Sequence, residues 1–433
     1  MNHRRIRVLA CAAVAVSALG LLAGCGQRGG GQAGGSSGGS DGTVKIGVLI
    51  DLSGPEATPG LGIKHTFQVL QTIINGRYPS LSMPLAADAG LPGLHGEKVQ
   101  FVFADTQSNP ETGANLAQKL VTSDHVAGLI GDYSTDATTA ESEVAERLGV
   151  PFIAAWSTGD SLTQRGYQWF FRTSPDQSQI AQTTLSFFQY EEKQHPGLRI
   201  GMFFSTNAVY RAQVQLTQQF AARYGLQSSL VGNVSYQSDS PTLTSEVSKL
   251  MQSKPNVLYV GAYTPDAIQL MKTIRQLGLH PSAIVGEDAG FNDPAFIKAI
   301  GAQASGIISR DVWSPDVAKT KPSAGVVNGM YSKAYGGDMD GDDARAFVAG
   351  DVLADAISNA GSTDYGAIRQ ALTRIDIPAA QTILPWGPVK FDRQGQNTGA
   401  GSILVQYTAS GVRNTIWPLS GATQKPLWPM PGS

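Results

Sequence analysis

Hydroxyls, aromatic rings and one pair of carboxylates stand directly after short apolar, β-rich stretches of this 433-residue chain. Asp51-Leu-Ser-Gly-Pro55 follows residues 44–50, and Gly131-Asp-Tyr-Ser-Thr135 follows 126–130. Trp156-Ser-Thr158 follows 152–155, and Ser205-Thr-Asn-Ala-Val-Tyr210 follows 200–204. Gly261-Ala-Tyr263 follows 257–260, and Glu287-Asp288 follows 284–286. Ser134 and Thr135 open a helical pattern, where unpaired N–H groups and the positive dipole end suit a carboxylate. Glu287 and Asp288 offer an ammonium group charge-assisted hydrogen bonds. Tyr133, Trp156, Tyr210 and Tyr263 offer stacking area. With Ser157 and Thr158 they outline a cleft for a small zwitterionic or polar solute. Each also has a plainer use. Ser134 and Thr135 cap a helix, Trp156 packs a lobe, Glu287-Asp288 caps a helix or pairs with a lysine, and Tyr263 precedes Thr264-Pro265, a standard helix entry.

Catalytic signatures are missing from the same stretch. From residue 43 onward the chain contains no G-x-S-x-G, H-E-x-x-H, G-x-x-x-x-G-K-[ST] or G-x-G-x-x-G pattern. His65, His95, His125, His195 and His280 are scattered without metal-ligand spacing. Asp338-Met-Asp340-Gly-Asp342 puts its glycine at the fourth place, where a calcium loop needs the sixth, so it reads as a solvated loop. The chain is therefore expected to need no metal or cofactor and to be no enzyme. Thirty-two Lys+Arg face 34 Asp+Glu, a net charge of −2 with no basic run, which excludes gripping a nucleic-acid backbone.

The elements that must hold these residues alternate. Strand patterns at 44–50, 99–104, 126–130, 152–155, 200–204, 257–260, 284–286 and 306–309 are separated by helical windows near 61–75, 111–122, 136–148, 176–193, 210–224, 242–253, 265–277 and 293–299. Ile268, Met271, Ile274 and Leu277 mark one such helical face. Alternation at this length predicts βαβ units and parallel sheet. The pattern pauses at 172–176 and 310–315, and a last strand pair (403–407, 414–418) follows a helical block at 343–373. The expected architecture is α/β, with two Rossmann-like lobes joined by three crossings. One lobe comprises 43–173 plus 312–394, the other 174–311 plus 395–420, and 421–433 is a tail; one large sheet is the alternative. Residues 78–96 read as an inserted loop or surface flap.

Upstream, Arg4, Arg5 and Arg7 precede a fifteen-residue apolar run at 8–22. Its rise of about 22 Å falls short of a hydrocarbon core of roughly 30 Å. Leu22-Ala-Gly-Cys25 closes it like a bacterial lipobox, predicting removal of 1–24 and a lipid on Cys25; a plain signal peptide is the alternative. Cys11 leaves with the signal, so the mature fold has no disulfide. Residues 26–42 hold nine glycines and no large apolar side chain, the composition of a tether.

Several ordered motifs carry a family likeness. Val44-Lys-Ile-Gly-Val-Leu-Ile-Asp-Leu-Ser-Gly-Pro55, Phe103-Ala-Asp-Thr-Gln-Ser-Asn-Pro110, Gly149-Val-Pro-Phe-Ile153, Phe171-Arg-Thr-Ser174 and Val389-Lys-Phe-Asp-Arg-Gln-Gly395 together resemble type I solute-binding proteins of the leucine/isoleucine/valine-binding kind, from about residue 44 to 410. The resemblance implies a monomeric clamshell that closes on an amino acid-like solute and docks on an ABC permease. It also implies that Thr135 and the 156–158 loop hold the ligand carboxylate. Asp288 with Tyr263 would hold the amino group, and Tyr210 would cover the ligand. Trp156 stands where leucine-type binders carry a small residue. A ligand-sensing lipoprotein of the same fold, feeding a signalling partner, is the alternative function.

Overall fold

Val44-Lys-Ile-Gly-Val-Leu-Ile50 is apolar almost throughout because a parallel strand between two helical layers is buried on both faces. The computed structural model describes residues 42–431 apart from 54–56, 239 and 288, and at 57–59, 208, 289 and 294 the backbone alone. The expected signal segment and lipid-bearing Cys25 lie outside the described residues. Among those described, no helix is long and apolar enough to cross a membrane.

The first sheet joins β1 (Thr43–Ile50), β2 (Lys98–Asp105), β3 (Leu129–Gly131), β4 (Phe152–Ala154) and β5 (Phe170–Arg172), all parallel, in the order β2-β1-β3-β4-β5. Its connections carry α1 (Ala57–Asn75), α2 (Pro110–Thr122) and α3 (Thr135–Leu148). The chain then crosses to a second sheet through α4 (Gln177–Gln194), β6 (Ile200–Ser205), α5 (Ala208–Ala221), β7 (Leu230–Tyr236), α6 (Thr244–Met251), β8 (Val257–Gly261), α7 (Thr264–Gln276), β9 (Ala283–Glu287), α8 (Ala289–Asn292), α9 (Pro294–Ile300) and β10 (Ile308–Asp311). It returns to the first lobe for α10 (Pro322–Tyr335), α11 (Gly341–Ala360), α12 (Tyr365–Leu372) and the hairpin of β11 (Asp376–Ile377) and β12 (Val389–Lys390). A third crossing leads to β13 (Ile403–Tyr407) and β14 (Arg413–Trp417), which extend the second sheet antiparallel.

The parallel part of that second sheet runs β10-β9-β8-β6-β7, the same winding as the first. In such sheets the order reverses beside the first strand, and the crevice opens where the loops diverge at the carboxyl ends. The two crevices therefore lie past β1 and β3 in one lobe and past β6 and β8 in the other. Each sheet is covered on both faces. Ile46, Val48 and Ile50 bury against α1 and α11, while Leu49 turns to the α2/α3 side. Phe203 and Val260 face the α6/α7 layer, and Met202 and Tyr259 the α4/α5 layer.

The crossings touch one another. Arg172 N–H donates to Gly395 O at 2.7 Å and Asn397 N–H to Arg172 O at 3.0 Å, a short parallel bridge between the first and third crossings. Gly395 has φ +77°, and a Cβ there would lie 2.1 Å from Phe170 O, so only glycine fits.

Several expectations need correction. Residues 78–96 are no flap. Leu81, Met83, Leu85, Ala86 and Leu91 are buried in the first-lobe core, and Ser82 and Gly93 donate N–H bonds to Ser323 Oγ and Ser358 Oγ. Prolines at 79, 84 and 92 break the segment, so the inward alternation of Leu81, Met83 and Leu85 builds no regular strand. The aspartates at 338–343 are no open loop either: Asp340 N-caps α11 in a reciprocal capping box with Asp343, which is buried. Some elements lacked a periodic signal, among them β5 with three residues, β7 as a half-exposed edge strand, and α10 with two interior glycines. Residues 421–431 dock on the second lobe, where Leu427 and Gln406 exchange two hydrogen bonds and Met430 N–H donates to Ser282 O.

Candidate functional site

In the first lobe, β3 ends at Gly131 and the chain turns through Asp132 and Tyr133 into α3. Ser134 caps that helix, its Oγ accepting from Ala137 N–H at 3.1 Å. Thr135 is half-buried beside the next loop: a Cβ on Gly159 would meet Thr135 Cγ2 at 2.8 Å. Ser157, buried, stitches the two loops together, its Oγ lying 2.9 Å from Asp132 O, 3.0 Å from Ser134 O and in contact with Thr138 Oγ1. Trp156 belongs to the first-lobe core. Its Nε1 donates to Asp342 O at 3.0 Å, and its carbonyl accepts from Arg345. Thr158 is half-buried, and its carbonyl accepts from Gln177 N–H at 3.0 Å.

The second-lobe residues converge at the ends of β6, β8 and β9. Asn207 caps α5 and so places Tyr210, whose hydroxyl donates toward Ala262 O at 3.3 Å and Glu287 O at 3.5 Å. Tyr263 begins α7 with its ring 5.7 Å from that of Tyr210 and 46% of its surface exposed, an aromatic face open to solvent. Glu287 is turned into the lobe. Oε1 accepts from Tyr259 OH at 2.5 Å and Thr184 Oγ1 at 3.1 Å, and Oε2 accepts from Arg310 Nε at 2.9 Å. Burial, and then the Glu287 charge, hold the Tyr259 hydroxyl well above its ordinary value, so it stays a donor. Asp288 lies outside the described residues.

Ser134, Thr135, Ser157 and Thr158 thus meet in one lobe, and Tyr210, Tyr263 and Glu287 in the other. Gln177, which sequence reasoning missed, spans the halves: its N–H holds Thr158 and its Nε2 donates to Val209 O at 3.1 Å. No local pattern marks it, because both partners come from the fold.

Beneath the first-lobe loops lie three carboxyls, Asp51, Asp132 and Glu141. Asp51 Oδ1 accepts from Thr106 Oγ1 at 2.7 Å and Ser108 N–H at 2.5 Å, tying the ends of β1 and β2. Burial, then Asp51, push Asp132 up to about 6, and burial, then Asp132, push Glu141 well above the usual range. Among the described residues, no group of three or more His, Cys, Asp or Glu is placed to hold a metal ion.

The first-lobe face is rich in backbone donors. Among the described residues none accepts from the N–H groups of Ser157, Thr158 or Asp160, nor from that of Thr135 at the start of α3. Such a set suits the oxygens of a carboxylate. The second lobe carries the rings of Tyr210 and Tyr263 at its own strand ends, which suit an apolar or aromatic body.

A family model for periplasmic binding proteins matches residues 43–412. Leu/Ile/Val-binding protein homolog 7 of Brucella suis biovar 1 is 25% identical over 391 residues, 88% of this chain and 92% of the relative. A branched-chain amino acid transporter substrate-binding protein from Streptococcus pneumoniae, solved with isoleucine, superposes with TM-score 0.67 at 20% identity, covering 87% of this chain and all of that one. A solute-binding protein from Rhodopseudomonas palustris, solved with 3,4-dihydroxybenzoic acid, gives TM-score 0.67 at 17% identity over 86% and 96% of the two chains. At these identities the solved structures share the fold.

Proposed function

The chain belongs to the periplasmic binding protein family, and on that footing we propose that it captures a small carboxylate-bearing solute between its lobes and delivers it to an ABC permease. Family and fold are those of solute-binding proteins, which are not enzymes, and the family is extracytoplasmic. The observation that supports the reading is the donor set along Thr135 and residues 157–160, together with Tyr210 and the 46%-exposed Tyr263 at the ends of the second-lobe strands. The solute's carboxylate sits against those N–H groups and its body lies on Tyr263 and Tyr210. Asp288 takes an ammonium group where the solute has one. Ligand contacts made only when the lobes approach drive closure. A lipid on Cys25 keeps the protein at the membrane beside its permease. Relatives solved with isoleucine and with 3,4-dihydroxybenzoic acid support two ligand classes, amino acids and aromatic acids.

A thermal-shift screen of residues 42–433 against amino acids, amides, small sugars and aromatic acids tests it. A ligand at 100 times its dissociation constant adds about 2.7 kcal/mol. Hits confined to acids support the reading; hits only among sugars or amides overturn it.

A further inference from the structure

We propose that Arg172 and Arg345 are positioning residues that grip the 156–160 loop from behind and so turn its peptide N–H groups into the cleft as the seat of a ligand carboxylate. The inference rests on the reading of that loop as the anion-binding end of the site.

Two guanidinium groups reach the loop from different elements. Arg345, on α11, donates from Nη1 to Trp156 O at 3.2 Å. Arg172, the last residue of β5, donates from Nη1 to Gly159 O at 2.7 Å and toward Ser157 O at 3.4 Å. Both residues are buried, Arg172 completely. In a planar trans peptide the C=O and the N–H point in opposite directions. Each carbonyl pulled toward an arginine therefore sends the N–H of the following residue the other way. The residues so turned are Ser157, Thr158 and Asp160, whose N–H groups, like those of Trp156 and Gly159 in the same loop, find no acceptor among the described residues. A carboxylate in front of the loop accepts from several of these N–H groups at once.

The loop is also indexed to the hinge. Arg172 donates from Nε to Gln396 Oε1 at 2.6 Å, and Gln396 Nε2 donates to Ser174 O at 3.0 Å, so one guanidinium joins the ligand loop to the first and third crossings. Asp176, the cap of α4, lies 3.9 Å from Arg172 Nη2, farther than either of these acceptors. A planar fork can hold Gly159 O and Gln396 Oε1 together, whereas a lysine ammonium offers one point charge. Burial lowers Arg172 to about 10, so it remains charged at neutral pH.

Two measurements test the proposal on the full chain. The first needs no ligand: crystal structures of the wild type and Arg172→Lys are compared at the Gly159–Asp160 peptide. The expected result is a peptide turned away from its present orientation with the rest of the first lobe unchanged; an unmoved peptide overturns the grip. The second reads affinity for L-leucine against L-leucinamide and for benzoate against benzamide by calorimetry. Arg172→Lys and Arg345→Lys are expected to reduce the acid-over-amide preference at least tenfold. A merely structural defect lowers acid and amide affinity together, and an unchanged ratio in a variant that binds overturns the proposal. If Arg172→Lys does not fold, Arg345→Lys, which reaches the loop at the carbonyl of Trp156, carries both measurements at the Trp156–Ser157 peptide. A wild type that binds the amides as tightly as the acids overturns the carboxylate seat and the proposed function with it, while a failure confined to the peptide comparison overturns the arginines' role alone.

Discussion

Glu287→Gln replaces one carboxylate oxygen by an amide nitrogen inside a network with no room for a second donor. The wild-type carboxylate accepts from Tyr259 and Thr184 on one oxygen and from Arg310 on the other, and Glu287 is only 3% exposed. If the glutamine keeps its oxygen toward Tyr259, its NH2 faces the Arg310 Nε–H, donor against donor. If it flips, the hydroxyls meet the NH2 instead and the charge opposite Arg310 is still gone. Breaking one partner of a buried ion pair costs about 3 kcal/mol or more. An unfolding entropy of about 2.1 cal/mol/K per residue over about 390 residues gives about 0.8 kcal/mol/K. The melting temperature should therefore fall by about 4 °C, read by calorimetry without ligand. Ligand affinity should change less than stability, because the carboxylate is spent inside the lobe. A melting point within about 1 °C of wild type, together with lost binding, would refute the reasoning and return Glu287 to the ligand.

Asp288→Asn should weaken binding of an amine-bearing solute by about 2–3 kcal/mol, read by calorimetry, and leave an aromatic acid unaffected; equal affinity for both proteins removes Asp288 from the site. Gly395→Ala should lower the urea midpoint by the equivalent of about 2–4 kcal/mol, because the new Cβ is forced onto Phe170 O at a positive φ. An unmoved midpoint would mean the crossing yields freely. Asp132, raised from 3.8 to about 6, keeps its proton in the folded chain over a range where the unfolded chain has lost it. Its contribution is thus full below about pH 4 and declines as pH rises toward 6, and Asp132→Asn should flatten that decline in melts taken across the window. Cys25→Ser should move the protein from the membrane fraction to the soluble one with ligand affinity unchanged; retention in membranes refutes the anchor.

Much of this architecture was legible because parallel strands announce themselves. The run at Val44–Ile50 and the cap at Ser134 lie where apolar content and capping chemistry put them. Reading just past each strand found the loops that line both crevices, since a chain leaving a buried strand has to turn at its carboxyl end. Partners far apart in sequence stayed hidden. Nothing local ties Trp156 to Asp342 O, Arg172 to Gln396 or Glu287 to Arg310, and these pairings decide which side chains are consumed within a lobe. Elements without a clear signal were also missed, as at β7 and in residues 78–96, where prolines at 79, 84 and 92 interrupt the alternation of buried Leu81, Met83 and Leu85.

The three crossings have a bearing on biogenesis. The first lobe lacks α10, α11 and α12 until residues up to 372 exist, and the second lacks β13, β14 and the docked segment until residue 427 has been made. Neither core can close as the chain emerges in order, and pairing over such separations is slow. A polypeptide built this way stays threadable until the segments at 322–372 and 403–427 have been made, the condition a secretion channel requires. The same interleaving means that no single cut yields two intact halves, so an isolated lobe has to be made as a permuted or two-piece polypeptide.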